Sequence, residues 1–214
     1  MSLSLYKKKR DFKNTPEPVK SSSGKKGKLR FVVQKHDASH LHYDFRLEMD
    51  GVLKSWAVPK GPSMDPSDKR LAVMVEDHPL DYGNFYGIIP EGNYGAGVVE
   101  IWDKGKFKPM ENPRKEKDEK LLLAMLSKGD LKIILNGHYL KGAFALVRMK
   151  DEKEKNWLLI KKKDQYAEEN FDINDLIPLK IYKKGPDEKQ NKKKTKNPEE
   201  SSSDNLEKEW QNLK

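Results

Sequence analysis

Residues 34–50 read QKHDASHLHYDFRLEMD, and this stretch decides how the chain folds. From Leu41 onward, Leu41, Tyr43, Phe45, Leu47 and Met49 alternate with His42, Asp44, Arg46, Glu48 and Asp50. A period of two sends successive side chains to opposite faces, so the stretch is a strand with one apolar and one polar face. The polar face is unusual in kind. His42, Asp44 and Arg46 stand in a row, and His36 precedes them by further even steps. Solvated strand faces ordinarily carry Lys, Glu, Thr or Ser. Here three of the five histidines (His36, His40 and His42) fall close together. Imidazole, carboxylate and guanidinium on one rigid face suit a metal ion and a bound phosphate. An amphipathic strand whose polar face is merely wet shows the same alternation.

Outward from this strand the chain stays rich in short β segments. Residues 29–34 are β-prone, and Asp37-Ala38-Ser39 is turn-like. Asp50-Gly51 is a hairpin signal, after which residues 52–58 return as a second strand carrying Trp56. Residues 71–75 and 98–102 read as strands, the latter turned by Lys104-Gly105. Residues 81–97, DYGNFYGIIPEGNYGAG, are dense in glycine and aromatics, which permits tight turns and close approach to a ligand. They form no P-loop, because no Gly-Lys-Ser/Thr follows. Residues 116–128 predict a helix with Leu121, Leu122, Met125 and Leu126 on one face and Gly129 at its C-cap. Residues 131–135, 139–149 and 157–161 return to strand, with Asn136-Gly137 as a type I′ turn. Many short strands with glycine-marked turns predict a mainly β fold: a small closed or nearly closed β-barrel flanked by one or two helices, with flexible basic tails.

Composition bounds the rest. The 214 residues are 35% hydrophobic and 36% charged, so part of the chain lies outside any packed core. The charge concentrates at the ends. The expected division is a basic N-terminal arm (1–28), partly ordered over the site; a barrel domain (29–182); and a Lys-rich disordered tail (183–214). Leu206, Trp210 and Leu213 suggest a short terminal helix in that tail. A net charge of +9 and a pI near 9.3 favour a polyanionic partner, nucleic acid before a membrane surface. Cysteine is absent, which fits a reducing compartment. No apolar run is long enough to span a bilayer, and the N-terminus lacks a signal-peptide core. A cytoplasmic protein with no membrane association is the expectation.

Phosphate-ester hydrolysis needs an ion to polarise phosphoryl oxygens or activate water, and cations to balance developing charge. His36, His42 and Asp44 supply two imidazoles and a carboxylate, a set suited to Mn²⁺ or Fe²⁺ with open positions. Arg46 adds a planar fork that fits a phosphate in two-point contact. His78, in Asp77-His78-Pro79, could bind phosphate or protonate a leaving oxygen. Tyr82 could donate a hydrogen bond to the same group. The same two-His-one-carboxylate pattern serves non-haem Fe(II) oxygenases, and a non-catalytic DNA-binding module with a structural His cluster is a third possibility.

The ordered motifs FVVQKHDASHLHYDFRLEMDGVLKSWAVPKGPS, KRLAVMVEDHPLDYGNFYGIIPEGNYGAG, LKGAFALVRM and NWLLIKKKD resemble the phosphoesterase domain of bacterial DNA ligase D. The likeness runs from about Leu5 to about Asp164. It implies a small β-barrel and a Mn²⁺-dependent 3′-end-healing enzyme, with other divalent transition metals as alternatives. Such an enzyme removes a 3′-terminal ribonucleoside from a DNA or primer-template end, leaving a 3′-phosphate, and then removes the phosphate. By the family motif, His36, His42 and Asp44 would hold the metal. Arg46, His78 and Tyr82 would engage the scissile phosphate, with Lys60 and Arg70 close by. Gln34 matches a position near the site, and Arg10, Asp11 and Glu17 match a contributing N-terminal arm. His40 occupies a variable position and could add a ligand. A ligase, polymerase or end-binding partner would be recruited in trans.

Overall fold

A computed structural model describes residues 3–19, 29–112, 117–150 and 155–182. The linker before residue 29 and the Lys-rich tail, including the expected terminal helix, lie outside the described residues. Nine strands form one antiparallel sheet: β1 (Arg30–Asp37), β2 (Leu41–Met49), β3 (Val52–Val58), β4 (Lys69–Met74), β5 (Gly87–Ile89), β6 (Gly97–Pro109), β7 (Asp130–Gly137), β8 (Lys141–Arg148) and β9 (Asn156–Lys161). Their spatial order is β1-β2-β3-β4-β9-β8-β7-β6-β5, and β1 also pairs with β6. That last pairing closes eight strands into a barrel and leaves β5 as an extra strand on β6. Closure removes the exposed edges an open sheet would present.

An eight-stranded barrel has an interior that side chains can fill. Inward positions of β1, β2 and β3 supply Phe31, Val33, Phe45, Leu47 and Trp56, which join Trp102, Phe144 and Trp157 in the core. Trp56 meets Trp157 edge-on with ring centroids 5.8 Å apart. Among the described residues the α-helices are α1 (Leu3–Lys8) and α2 (Asp118–Lys128). Gly129 caps α2 at φ 80°, a left-handed conformation that glycine takes without steric cost, as its position after the apolar run predicts.

The Asp50-Gly51 hairpin is as expected: both residues have positive φ (56° and 70°), the type I′ requirement. Two other turn expectations fail. Lys104-Gly105 does not turn the chain, and β6 runs straight through it. Gly105 is small because the Asn136 backbone lies where a Cβ would project, so the residue permits close approach rather than a bend. Asn136 and Gly137 remain paired within β7, opposite Lys106 and Gly105. The turn sits two residues later, at His138-Tyr139, where the buried Asp103 carboxylate accepts from the N–H groups of His138 and Leu140, each at 2.8 Å.

Nor is the polar face of β2 wet. Asp44, Arg46 and Glu48 are only 7%, 2% and 5% exposed. They lie on the outer wall of the barrel, roofed by residues 3–19 and by the 3₁₀ turn Leu80–Asn84. Tyr6, Leu53 and Tyr82, with Phe12, Leu80 and Phe85 against them, form a second small core between wall and roof. Both faces of β2 are therefore buried, one in the barrel and one beneath the arm.

Candidate functional site

Register brings the first group together. His36 on β1 is the direct cross-strand partner of His42 on β2, and Asp44 lies two residues further along the same face. The imidazole centroids are 4.7 Å apart. His36 Nδ1 is 3.6 Å from Asp44 Oδ2, and His42 Nε2 is 3.9 Å from Asp44 Oδ1. One donor atom from each of the three residues falls within a mutual 4.8 Å. Each imidazole is also fixed in tautomer. His36 Nε2 is 2.9 Å from the Gly95 carbonyl, and His42 Nδ1 is 2.9 Å from the His40 carbonyl. A carbonyl only accepts, so those nitrogens carry the protons and the other nitrogen of each ring presents its lone pair toward Asp44. This is the second hydrogen bond that metal-binding histidines ordinarily make. The three residues could hold a divalent cation. His40 joins the cluster through its main chain, while its own side chain is exposed.

Asp44 is kept ionised. Burial works against its charge, but the Arg46 guanidinium holds the carboxyl well below the usual carboxylate range. Arg46 Nη2 donates to Asp44 at 3.0 Å, Nη1 to Ser55 Oγ at 2.9 Å and Nε to Gln34 Oε1 at 2.6 Å. Its guanidinium stacks 4.7 Å from the Tyr82 ring centroid. A guanidinium has five N–H groups; three are engaged here, so donor capacity remains. Gln34, 0% exposed, also donates to the carbonyls of Tyr82 (3.0 Å) and Phe85 (2.8 Å).

A second polar group adjoins this one under the arm. Arg10 donates to Glu17 at 2.7 Å and to Glu76 at 3.1 Å, and its Nη2 lies 3.2 Å from His78 Nε2. His78 Nδ1 donates to the Glu76 carbonyl at 2.9 Å, which leaves Nε2 as the acceptor facing Arg10. Burial above all, then Arg46 and Arg10, pushes the imidazole well below its ordinary pKa, so it is neutral. The Tyr82 hydroxyl donates to Glu17 at 2.9 Å. Burial and the Glu17 charge raise its pKa and keep it protonated. Tyr6 packs edge-on against both His78 and Tyr82, at 5.0 and 6.0 Å.

The remaining expected residues stand further out. Asp11 is exposed and caps a turn, accepting from Lys13 N–H at 3.1 Å and Asn14 Nδ2 at 2.8 Å. Lys60 is exposed just past β3. Arg70, on β4, is paired with Asp68 at 2.7 Å. Four contributors were missed in the sequence: Ser55, Glu76, the Gly95 carbonyl and Tyr6. Ser55 was within reach, since a two-residue turn at Asp50-Gly51 sets Arg46 opposite it. The other three are joined to the site by tertiary structure and carry no local signal.

Fold and site together define a closed β-barrel protein with a preassembled two-histidine, one-carboxylate group on its outer wall, flanked by buried guanidinium groups. The model of the DNA Ligase D 3′-phosphoesterase domain matches residues 34–148, more than half of the chain, and the chain belongs to that family. It is 52% identical over 176 residues to the multifunctional non-homologous end joining protein LigD of Pseudomonas aeruginosa, covering 80% of this chain and 20% of that protein. For LigD of Mycolicibacterium smegmatis the identity is 44% over 178 residues, covering 83% of this chain and 22% of that one. For LigD of Mycobacterium tuberculosis it is 39% over the same length, with the same coverage. The chain thus spans about a fifth of the length of these relatives. Among the described residues no helix is long and apolar enough to cross a membrane.

Proposed function

We propose that this chain is a metal-dependent 3′-end-healing phosphoesterase, acting in DNA repair on DNA or primer-template ends that carry a terminal ribonucleotide or phosphate. In the first reaction water adds to phosphorus, the bond to the 5′ oxygen of the terminal ribonucleoside breaks, and that oxygen takes a proton. In the second, hydrolysis of the remaining 3′-phosphate yields inorganic phosphate and the 3′-hydroxyl that polymerases and ligases require. The observation that carries the proposal is the convergence of two imidazole lone pairs and an ionised carboxylate beside two buried guanidinium groups.

His36, His42 and Asp44 are the proposed ligands of Mn²⁺ or a similar divalent transition metal. Bound there, the ion would polarise a phosphoryl oxygen and lower the pKa of water. Arg46, fixed by Gln34, Ser55 and Asp44, offers its remaining N–H groups to the scissile phosphate and needs no rearrangement to do so. Arg10 supplies the second guanidinium. His78 is the phosphate ligand beside it. Burial and the two guanidiniums keep it neutral until an anion arrives, and a bound phosphate supplies the charge that favours its protonation. Tyr82 and Glu17 orient this pair, and Lys60 and Arg70 serve the flanking backbone. The same donor set in an iron oxygenase would need a pocket for an organic cosubstrate, whereas two guanidiniums around the group are what a phosphoester substrate calls for.

The test is a labelled primer–template bearing one 3′-terminal ribonucleotide, with Mn²⁺ titrated in and EDTA as control. Release of the ribonucleoside and then of phosphate is expected, and His42→Ala abolishes both. Binding without hydrolysis at any Mn²⁺ concentration refutes the proposal and favours a DNA-binding module. Unchanged activity in His42→Ala removes that residue from the mechanism.

A further inference from the structure

Apart from the Gly95 carbonyl that fixes His36, the loop at residues 90–96 is not used by the reaction as described. Two successive turns build it: Asn93 N–H donates to the Pro90 carbonyl at 3.3 Å, and Ala96 N–H to the Asn93 carbonyl at 3.1 Å. Gly92 and Gly95 take φ of 83° and 78°, which side chains rarely allow. The loop is anchored at two places. The Gly95 carbonyl receives His36 Nε2–H at 2.9 Å, and Asn93 Nδ2 donates to the Asn14 carbonyl of the arm at 3.3 Å. Next to both anchors stands Tyr94, 49% exposed.

This exposure is informative, because the neighbouring Tyr6 and Tyr82 are 0% and 2% exposed and pack the small core. Tyr94 packs no such core. Its ring has Lys9 Nζ at 4.5 Å and the Arg10 guanidinium at 5.4 Å from its centroid. Lys9 Nζ also donates to its hydroxyl at 3.1 Å. One Cα–Cα step, about 3.8 Å of chain, separates this aromatic from the residue whose carbonyl fixes His36. An exposed ring held on a tethered loop, with the arm's Lys9 and Arg10 over it and a phosphate site adjoining, has the composition of a base-stacking platform for single-stranded nucleic acid.

We infer that Tyr94 stacks on one base flanking the scissile phosphate; this rests on the end-processing function proposed above. The ring offers a π-face and no hydrogen-bond readout, so the platform accepts any of the four bases. It grips the 3′ end by its last or penultimate nucleoside, and the reaction does not require it for bond cleavage itself. Tyr94 is therefore a positioning residue.

The test uses the full chain and oligonucleotides with 5-iodouracil at the terminal or the penultimate position, irradiated in EDTA. A photo-crosslink mapped to Tyr94 from one of the two positions is expected. In parallel, binding is measured with a normal base or an abasic residue at that position. Tyr94→Ala should weaken binding of the base-containing end about tenfold, the scale of one lost stack, and leave the abasic end unchanged. Tyr94→Phe, which loses only the bond from Lys9, should bind both ends as wild type does. Absence of a crosslink at Tyr94 from either position overturns the inference. So does equal weakening of both ends in Tyr94→Ala, the result if the ring merely clips the arm. A Tyr94 crosslink from a chain that hydrolyses neither substrate would keep the platform and refute the reaction, so the two failures are distinguishable.

Discussion

Gln34→Leu separates an integrated polar site from a set of well-placed charges. The Gln34 amide is 0% exposed and makes three hydrogen bonds, accepting from Arg46 Nε and donating to the Tyr82 and Phe85 carbonyls. Leucine is of similar size and can occupy the space, but it leaves one guanidinium N–H and two carbonyls without those partners. An unmade buried bond costs about 1–3 kcal/mol, toward the upper end for a charged group. The guanidinium contributes about 2–3 and the Phe85 carbonyl about 1, the Tyr82 carbonyl keeps the Phe85 N–H at 3.1 Å, and the apolar gain of leucine returns about 1. The net loss is about 2–3 kcal/mol, which for a domain of this size lowers Tm by roughly 8 °C. Urea and thermal melts read the loss directly. Turnover should fall at least tenfold as Arg46 loses one tether, while Mn²⁺ binding by calorimetry stays within about tenfold of wild type. Gln34→Glu should be as destabilising near neutral pH, because it keeps the acceptor for Arg46 but turns an oxygen on the two carbonyls. A Gln34→Leu protein that melts within about 1 kcal/mol of wild type and turns over normally would refute the reasoning.

The remaining predictions probe the two guanidinium-flanked groups. Arg46→Lys keeps the charge but cannot reach Gln34, Ser55 and Asp44 at once. Single-turnover hydrolysis should slow by about a hundredfold with Mn²⁺ still bound, and near-normal rates would show that charge alone suffices. His78 is neutral when folded, its pKa lowered by burial and then by Arg46 and Arg10, whereas the unfolded imidazole gains a proton below about pH 6.5. Its contribution is therefore present above that pH and is lost as pH falls, by up to about 1.4 kcal/mol per unit. Denaturation between pH 7 and 5 should show a shallower dependence in His78→Asn than in wild type, and parallel curves would count against a buried neutral imidazole.

Much of the wall was legible because its information is local. Alternation in residues 41–50 fixes which side chains share a face, and the Asp50-Gly51 turn fixes the register of β2 on β3. The burial of that face was not legible. The groups that cover it come from residues 3–19 and from the 3₁₀ turn Leu80–Asn84, and nothing in residues 41–50 encodes their arrival. Arg10 and Glu17 sit in a charged, proline-containing arm whose composition suits solvent. Only their meeting with Glu76 and His78 turns two ordinary surface residues into a buried network. The misplaced turns have a different cause. Gly105 and Gly137 carry the same residue type a turn would carry, but each serves close packing: Asn136 backbone lies against the first, and the Phe31 ring and Asp103 carboxylate against the second.

The covering arm follows from the chemistry of the wall. An ionised carboxylate and a guanidinium on an open strand face would be screened by water, and a phosphate bound there would gain little from them. Excluding water strengthens those interactions but makes every unpaired polar atom costly. The hydrogen-bond chain answers both demands. Asp44 is bound to Arg46, Arg46 to Gln34 and Gln34 to the main chain around Tyr82; the Tyr82 hydroxyl is bound to Glu17, Glu17 to Arg10, and Arg10 to Glu76 and His78. It runs unbroken from the sheet to the arm. The arm's polar residues thereby satisfy the wall's, while Tyr6 and Phe12 keep the intervening space dry. In physical terms the buried polar unit includes residues 3–19, even though composition alone divides them from the barrel.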